Sequence, residues 1–315
     1  MAYDAAMPTS TPGMLAAPLA GIDDAELPGV PADLPPVVDA HVHLFPDRVF
    51  DALWRWFRAH AWPIRYPLYS AGVVDFLLSR GVDHLVALHY AHKPGMARTL
   101  NRYMAETTAE NPRVTGLATV LPGEPDAADI LREGFALGLA GVKLHCHVQC
   151  FAPDAPDLDA VWRTCADHDK PVVIHAGREP KSPAYACDPH ALCAADAIER
   201  VLQRYPTLRL CVPHLGADEF AAYVSMMHRY DTLWLDTTMV VGELLPGDVP
   251  WDDALARPER LMYGSDFPNI PYAWSRELER LAARLPDPAA RAAVLGGTAR
   301  AFFGITRSSS SVELP

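Results

Sequence analysis

Pro171-Val172-Val173-Ile174-His175-Ala176-Gly177 is the stretch that decides the fold. A short β-branched run, bounded by Pro and Gly, reads as a strand buried on both faces. Residues 158–168 before it and 191–205 after it carry apolar side chains at helical spacing. The same alternation extends in both directions. Strand-like runs occupy 36–41, 82–89, 115–120, 141–146, 209–212, 233–236 and 261–264, and together with 171–175 they make eight. Helix-like stretches lie between them, at 98–109, 127–137, 219–229 and 274–285, with another closing at 76–80. Seven βα units between His41 and Asp266 take roughly 32 residues each, and a βαβ unit needs roughly 30.

Strands that alternate with helices build a parallel sheet with right-handed crossovers. Eight such units predict an α/β fold of the (β/α)8 TIM-barrel type, with an insertion after strand 1 and an irregular N-terminal arm. An open doubly wound sheet would want a Gly-rich phosphate loop after an early strand, and no such fingerprint follows one. The expected organisation is an arm over 1–35, a barrel domain over 36–305 and a disordered tail over 306–315. The arm is rich in Ala, Pro and Gly, and orders only if it packs on the body or on a neighbouring subunit. The insertion contains Trp54, Trp56, Phe57 and Trp62, with Leu53, Trp56 and Phe57 on one helical stripe, and is expected over the barrel mouth.

Composition narrows the function. Lys+Arg 27 against Asp+Glu 39 gives a net charge of −12, which argues against a nucleic-acid or anionic-membrane surface. No apolar run approaches the ~20 residues of a membrane span. The first basic residue is Arg48, so a positively charged leader is missing and a cytoplasmic location is expected. The six cysteines read as thiols rather than a disulfide framework. Cys146 and Cys150, with His145 and His147, have one half of a zinc-knuckle spacing, but no second ligand pair follows.

In a TIM barrel the chemistry sits where strands end at their C-termini. Strand 1 ends in His41-Val42-His43; residues two apart in a strand face one side, so both imidazoles can grip one divalent metal. Strand 5 ends in His175, which could equally be a core histidine bonded to a carbonyl. Strand 6 ends in His214. Asp266 lies just past strand 8, where a turn former is the plain alternative. Four of eight strands thus end in groups that bind metals or move protons, and the set points to a metal site. On strand 4, Lys143, His145 and His147 alternate onto one face, with Lys143 and His145 as substrate-binding candidates and His147 expected in the loop that follows. Arg178, just past His175, could clamp a carboxylate, with a loop ion pair as the alternative.

These motifs resemble the amidohydrolase superfamily, with His-x-His on strand 1, His on strands 5 and 6, and Asp on strand 8. The flanking residues 39–43, 173–177, 213–216 and 263–268 resemble the amidohydrolase-related subgroup that includes aminocarboxymuconate-semialdehyde decarboxylase. Residues 294–304 resemble its C-terminal helix, with Thr298 where Asn is usual. The resemblance covers roughly 36–305. It implies His41, His43, His175 and Asp266 as metal ligands, with Asp266 and His214 as catalytic groups. It implies one divalent ion, zinc first and manganese or iron as alternatives. In binuclear relatives a strand-4 lysine is carboxylated and bridges two metals, a role open to Lys143. The resemblance also implies a small-molecule substrate, carboxylates included, and is compatible with a homodimer.

Three functions follow. The first is a metal-dependent hydrolase of an amide, lactone or ester. The second is a metal-dependent non-oxidative decarboxylase or hydratase of an aromatic or unsaturated carboxylate, using the same ligands. The third is a non-catalytic ligand-binding barrel, which predicts loss of a ligand; all are present.

Overall fold

The computed structural model describes residues 23–178, 184–244 and 247–306. Residues 1–22 of the expected arm (1–35) and residues 307–315 of the expected tail (306–315) lie outside these. Eight strands form where the apolar runs predicted them: β1 (Val38–His43), β2 (His84–Leu88), β3 (Val114–Gly116), β4 (Val142–His145), β5 (Val172–His175), β6 (Leu210–Val212), β7 (Leu233–Asp236) and β8 (Leu261–Met262). All neighbouring pairs are parallel, from β1 to β3 and from β4 to β8. Backbone hydrogen bonds join the two runs into a ring. Ala118 N–H donates to Gly141 and Lys143 N–H to Ala118, closing β3 to β4. Ala40 N–H donates to Tyr263, Asp266 N–H to His41 and His43 N–H to Phe267, closing β8 to β1. The barrel is therefore a TIM barrel.

Thirteen α-helices are described. The insertion after β1 supplies α1 (Asp47–His60) and α2 (Ser70–Ser79). Then come α3 (Ala97–Ala109), α4 (Ala127–Ala136), α5 (Cys146–Gln149), α6 (Asp159–Asp167), α7 (Pro189–Leu192), α8 (Ala195–Arg204) and α9 (Phe220–Arg229). The chain ends with α10 (Trp251–Leu255), α11 (Arg276–Arg284), α12 (Pro288–Ala292) and α13 (Thr298–Phe303). The single helix expected over 191–205 is two. Asp188 accepts the His190 N–H and Pro189 starts α7, while extended backbone at Ala194 separates it from α8.

The stripe expected on α1 is rotated from the one observed. Phe50 and Trp54 are its buried residues, and they stack against each other and pack with Phe45 and Tyr90. Leu53, Trp56 and Phe57 are only half-buried. Phe50 and Trp54 are four apart, so they share a face, and that face meets the loop after β1.

Residues 23–35 are irregular and lie on the body. Val30 N–H donates to Arg80, Leu27 N–H to Ser275 Oγ, and the Trp274 indole to the Leu27 carbonyl. At the other end of the barrel, α13 packs Ala299, Phe302 and Phe303 against Val38, Val86, Val173, Cys211 and Met262. Thr298, where the related helix carries Asn, donates to the Pro258 carbonyl. Gly296 lies directly on β1, where a Cβ would meet the Pro36 carbonyl oxygen at 2.5 Å. Along a strand's inward face the side chains thus climb from apolar to titratable: Val173 to His175 on β5, Trp234 to Asp236 on β7.

Candidate metal centre

The first group of donors forms at the seam of β1 and β8. His41, His43 and Asp266 are buried, and one donor atom from each lies within 4.8 Å of the others. His43 Nε2 is 2.8 Å and His41 Nε2 3.3 Å from Asp266 Oδ1. Asp266 holds a left-handed backbone, φ 60°, costly for a residue with a Cβ. Its N–H is tied to the His41 carbonyl, so strand closure itself fixes the carboxylate.

Hydrogen bonds behind the ring set its proton. His41 Nδ1 is 2.9 Å from Asp236 Oδ2, on β7. A carboxylate only accepts, so Nδ1 carries the hydrogen and Nε2 presents a lone pair. Burial pushes the His41 imidazole down to about 4, so it is neutral near pH 7. Burial alone would raise the Asp236 carboxyl, but the adjacent His41 holds it well below the ordinary range. Burial likewise opposes ionisation of Asp266, and His43 outweighs it, taking that carboxyl down to about 2. A neutral Nε2 lone pair and an ionised carboxylate oxygen therefore face each other with no hydrogen between them. Buried acceptors in that relation call for a cation. His41 Nε2 and His43 Nδ1 also lack hydrogen-bond partners. This donor set, two imidazoles and a carboxylate, fits a divalent ion such as zinc or manganese.

His214 and His175 lie beside this group. The His214 backbone N–H donates to Asp236 Oδ1, so one carboxylate orients both His41 and the loop after β6. His214 Nδ1 is 3.0 Å from the Thr238 carbonyl and must carry the hydrogen, which leaves Nε2 to face His175 Nδ1 at 3.2 Å. His175 then carries its hydrogen on Nδ1 and its lone pair on Nε2. The expected four-ligand set is only partly gathered: His175 sits against His214 and against a second histidine group, His145 and His147, rather than within the His41–His43–Asp266 group.

His145 stacks on His175, ring centroids 4.0 Å apart and 9° from parallel. Lys143 is fully buried inside the barrel, and its Nζ has no hydrogen-bond partner. Burial lowers its pKa to about 8, against the attraction of Asp236 and Asp266. His147, expected in the loop after strand 4, does lie past the strand and does not continue its alternation. The strand ends at His145, and His147 belongs to the one-turn helix α5, which carries it back to the Gly177 carbonyl. Arg178 is placed differently from the expected carboxylate clamp. It is exposed, its charge acts on Asp196, and it lines an outer groove with Glu199, Glu219 and Arg229. The chain turns outward at Gly177, φ 96°, which carries the side chain away from the histidines.

Three positions that support the candidate site escaped the sequence reading. Asp236 ends β7 as the histidines end β5 and β6, and the strand-end rule would have found it. Asp39 accepts from the N–H groups of His41 and Ser265 and from Ser265 Oγ, pinning the seam under Asp266. Glu277, buried in α11, accepts the Met239 N–H with both oxygens and so holds the loop after β7; burial pushes its carboxyl up. A lone Glu inside an amphipathic helix gives no sequence signal for that.

A sequence profile described as Amidohydrolase matches residues 38–305. No curated protein matches the chain in sequence. Solved structures do share its fold. An uncharacterised TIM-barrel protein from Bordetella bronchiseptica is 18% identical, with a TM-score of 0.67 over 85% of this chain and 99% of its own. A protein provisionally assigned as a 2-pyrone-4,6-dicarboxylic acid hydrolase from Pseudomonas putida is 21% identical, TM-score 0.58, over 86% and 98%. A 5-carboxyvanillate decarboxylase from Novosphingobium aromaticivorans, in complex with manganese and a nitrobenzoic acid, is 17% identical, TM-score 0.59, over 94% and 100%. Among the described residues no helix is long and apolar enough to cross a membrane.

Proposed function

The chain belongs to the amidohydrolase family, and from that premise we propose that it is a metal-dependent hydrolase of a small amide, lactone or ester. The observation that carries the reading is the pair of acceptors, His41 Nε2 and Asp266 Oδ1, held 3.3 Å apart in a buried site. His41, His43 and Asp266 would hold one divalent ion, zinc or manganese. When bound, such an ion supplies a Lewis acid and brings the pKa of coordinated water toward ~7.

The residues supply the rest. Asp266, held ionised, is placed to accept a proton from the attacking water and to deliver it to the leaving group. Asp236 keeps His41 in one tautomer and fixes the β6 loop, so both sides of the site move as one unit. His214 keeps Nδ1–H on the Thr238 carbonyl and accepts the His175 Nδ1–H at Nε2, so it would act beside the water as an electrostatic partner that holds the His175 ring in place. Lys143, a buried ammonium under the site, offers an electrostatic counterpart to an anionic substrate, and His145 lines the wall above it. Phe45 and Tyr90 flank His43 and exclude water on the β1–β2 side. The substrate class that fits is a small molecule with a carbonyl at the metal and a carboxylate toward Lys143.

The test is turnover in water labelled with heavy oxygen. The chain, loaded with zinc or manganese, is screened against lactones, esters, amides and aromatic carboxylates. A hydrolase places the label in the new carboxylate of its product. Release of carbon dioxide without label uptake would replace this reading with a decarboxylase. No turnover with any class would favour a ligand-binding barrel.

A further inference from the structure

Four of the six cysteines gather where the segments after β4 and β5 meet. Cys146 opens α5 and Cys150 ends it, while Cys187 precedes the Asp188 cap of α7 and Cys193 closes that helix. The four meet as two pairs. Cys146 and Cys193 are both buried and in hydrogen-bonding contact. Cys150 and Cys187 form the outer pair, also in hydrogen-bonding contact, with Cys150 exposed and Cys187 half-buried. Both outer thiols reach one acceptor: Cys187 Sγ is 3.3 Å and Cys150 Sγ 3.6 Å from the His147 carbonyl oxygen. The two remaining cysteines, Cys165 and Cys211, are buried in the core.

Both outer sulfurs hang from fixed backbone. Gln149, buried beside Cys150, accepts the His145 N–H on Oε1 and donates through Nε2 to the carbonyls of Ala91 and Val120. Asp188, beside Cys187, accepts the His190 N–H and starts α7, and the Gly177 N–H donates to the Cys193 carbonyl. Cys150 holds a left-handed backbone, φ 54°, where glycine is the usual helix stop. A residue with a Cβ is strained there, so the thiol stands at that position at a cost. The two thiols also differ in availability. Solvent reaches Cys150. Burial first, then the bond to Cys150, pushes the Cys187 thiol up to about 12, so it keeps its proton until a partner sulfur is presented.

We infer that Cys150 and Cys187 are an oxidation site, a dithiol pair at the barrel mouth that hydrogen peroxide converts to a disulfide. An accessible thiol with a second thiol beside it is the arrangement in which a sulfenic acid is resolved. The Cys150 sulfur attacks one peroxide oxygen; the O–O bond breaks, a sulfenic acid forms at Cys150, and the other oxygen leaves as water. The Cys187 sulfur then attacks the Cys150 sulfur. The S–S bond forms, the S–O bond breaks, and the departing hydroxide takes the Cys187 proton to leave as a second water. The two thiols lose two electrons and two protons, and the peroxide is reduced to two waters. The new bond ties the α5 turn to the segment after β5. That segment carries Tyr185, whose ring lies 5.8 Å from those of His147 and of Trp56 on α1. Oxidation thus links two loops that frame the candidate site without using a proposed metal ligand. The inference stands apart from the hydrolase reading, because counting thiols is silent on the reaction.

The test uses the full-length, untagged, reduced chain, treated with one equivalent of hydrogen peroxide, then denatured for thiol counting and mapped by peptide mass spectrometry. The count should fall from six thiols to four. The peptides that carry Cys150 and Cys187 should be joined, and dithiothreitol should restore the count. Cys187→Ser should stop at the sulfenic acid, which dimedone traps on Cys150. Cys150→Ser should keep all of its thiols at the same dose. If Cys187→Ser does not fold by circular dichroism, Cys187→Ala takes its place with the same expectation. An unchanged count in the wild-type chain, a disulfide that joins any other pair or two chains, or a loss of thiols in Cys150→Ser would each overturn the inference.

Discussion

The two ends of the barrel are built from the same strands by opposite rules. At the floor, α13 closes the barrel with Phe302 and Phe303 on Val38, Val173, Cys211 and Met262, an apolar plug with regular backbone. At the mouth, two residues further along the strands, the inward side chains are His145, His175 and Asp236. There buried donors go unpartnered and backbones are forced. Among the described residues with side chains, every left-handed backbone except that of Asp169 lies in a segment leaving a strand's C-terminal end: Cys150, His214, Leu215, Ala217, Met239, Glu243 and Asp266. The floor lowers the free energy of the fold, and the mouth spends part of that on holding polar groups where water and partners would otherwise relax them.

If this division holds, damage at each end has a separate signature. The largest effect is expected at the mouth. Asp266→Asn keeps the shape but removes the only carboxylate of the first donor group; turnover should fall about 10²–10⁴-fold, the usual worth of a general base. Its melting temperature, measured on metal-free protein, should fall only slightly, because the variant gives up the His43–Asp266 contact but keeps the packing. A collapse of the fold would mean that the mouth is structural after all.

The counterpart at the floor is Phe302→Ala. The ring is buried beneath the barrel, against Trp234 and Phe303, and its loss should cost about 3–5 kcal/mol in urea unfolding. Turnover per folded molecule should be unchanged. A drop in that quantity would show that floor and mouth are mechanically coupled.

A subtler break is Asp236→Asn, which removes the acceptor that fixes the His41 tautomer without touching a proposed ligand. Competition against a chelator should show metal affinity about 10–100-fold weaker, the usual cost of losing such a partner. Unchanged affinity would mean that His41 needs no such support.

The smallest effect belongs to the floor. His84 starts β2, buried and near Arg300, and burial first, then that charge, lowers its pKa from 6.5 to about 4. Unfolded, it takes up a proton near pH 6.5; folded, only near pH 4. The unfolded state therefore binds more protons in between, so this contribution is complete above about pH 6.5 and drains away as pH falls toward 4. His84→Gln should flatten that limb of the stability curve while leaving neutral-pH stability close to wild type. An unaltered slope would assign the acid sensitivity to other groups.

How far each end was legible follows from the same contrast. The floor and barrel wall obey periodicity, so β-branched runs such as Val172–Ile174 located every strand within a few residues. His41, His43 and His175 were legible because inward alternation along a strand is a local rule, while His214 and Asp266, which stand past β6 and β8 on left-handed backbone, were legible only as polar residues that follow an apolar run. What stayed hidden depends on the chain leaving that rule. His147 was expected past the strand, but the one-turn helix that holds it was not, because α5 begins directly after β4 and alternation cannot foresee that. Arg178 was misplaced because its direction is decided by the left-handed turn at Gly177. Asp39 and Glu277 act across long sequence separations, on Ser265 and Met239, and only the folded seam shows their partners.

The loops after β5 and β6 meet at Gly177 and Gly216, so closely that a Cβ on Gly177 would sit 2.1 Å from the Gly216 carbonyl oxygen. A Cβ on Gly216 would in turn enter the Tyr223 ring at 1.8 Å. The two loops are thus one mutational unit. A library that randomises either glycine alone samples mainly chains whose mouth cannot close. Diversity intended to retarget this barrel belongs instead on the β1 insertion, where Trp56 and Phe57 are half-buried and can change size without the backbone moving.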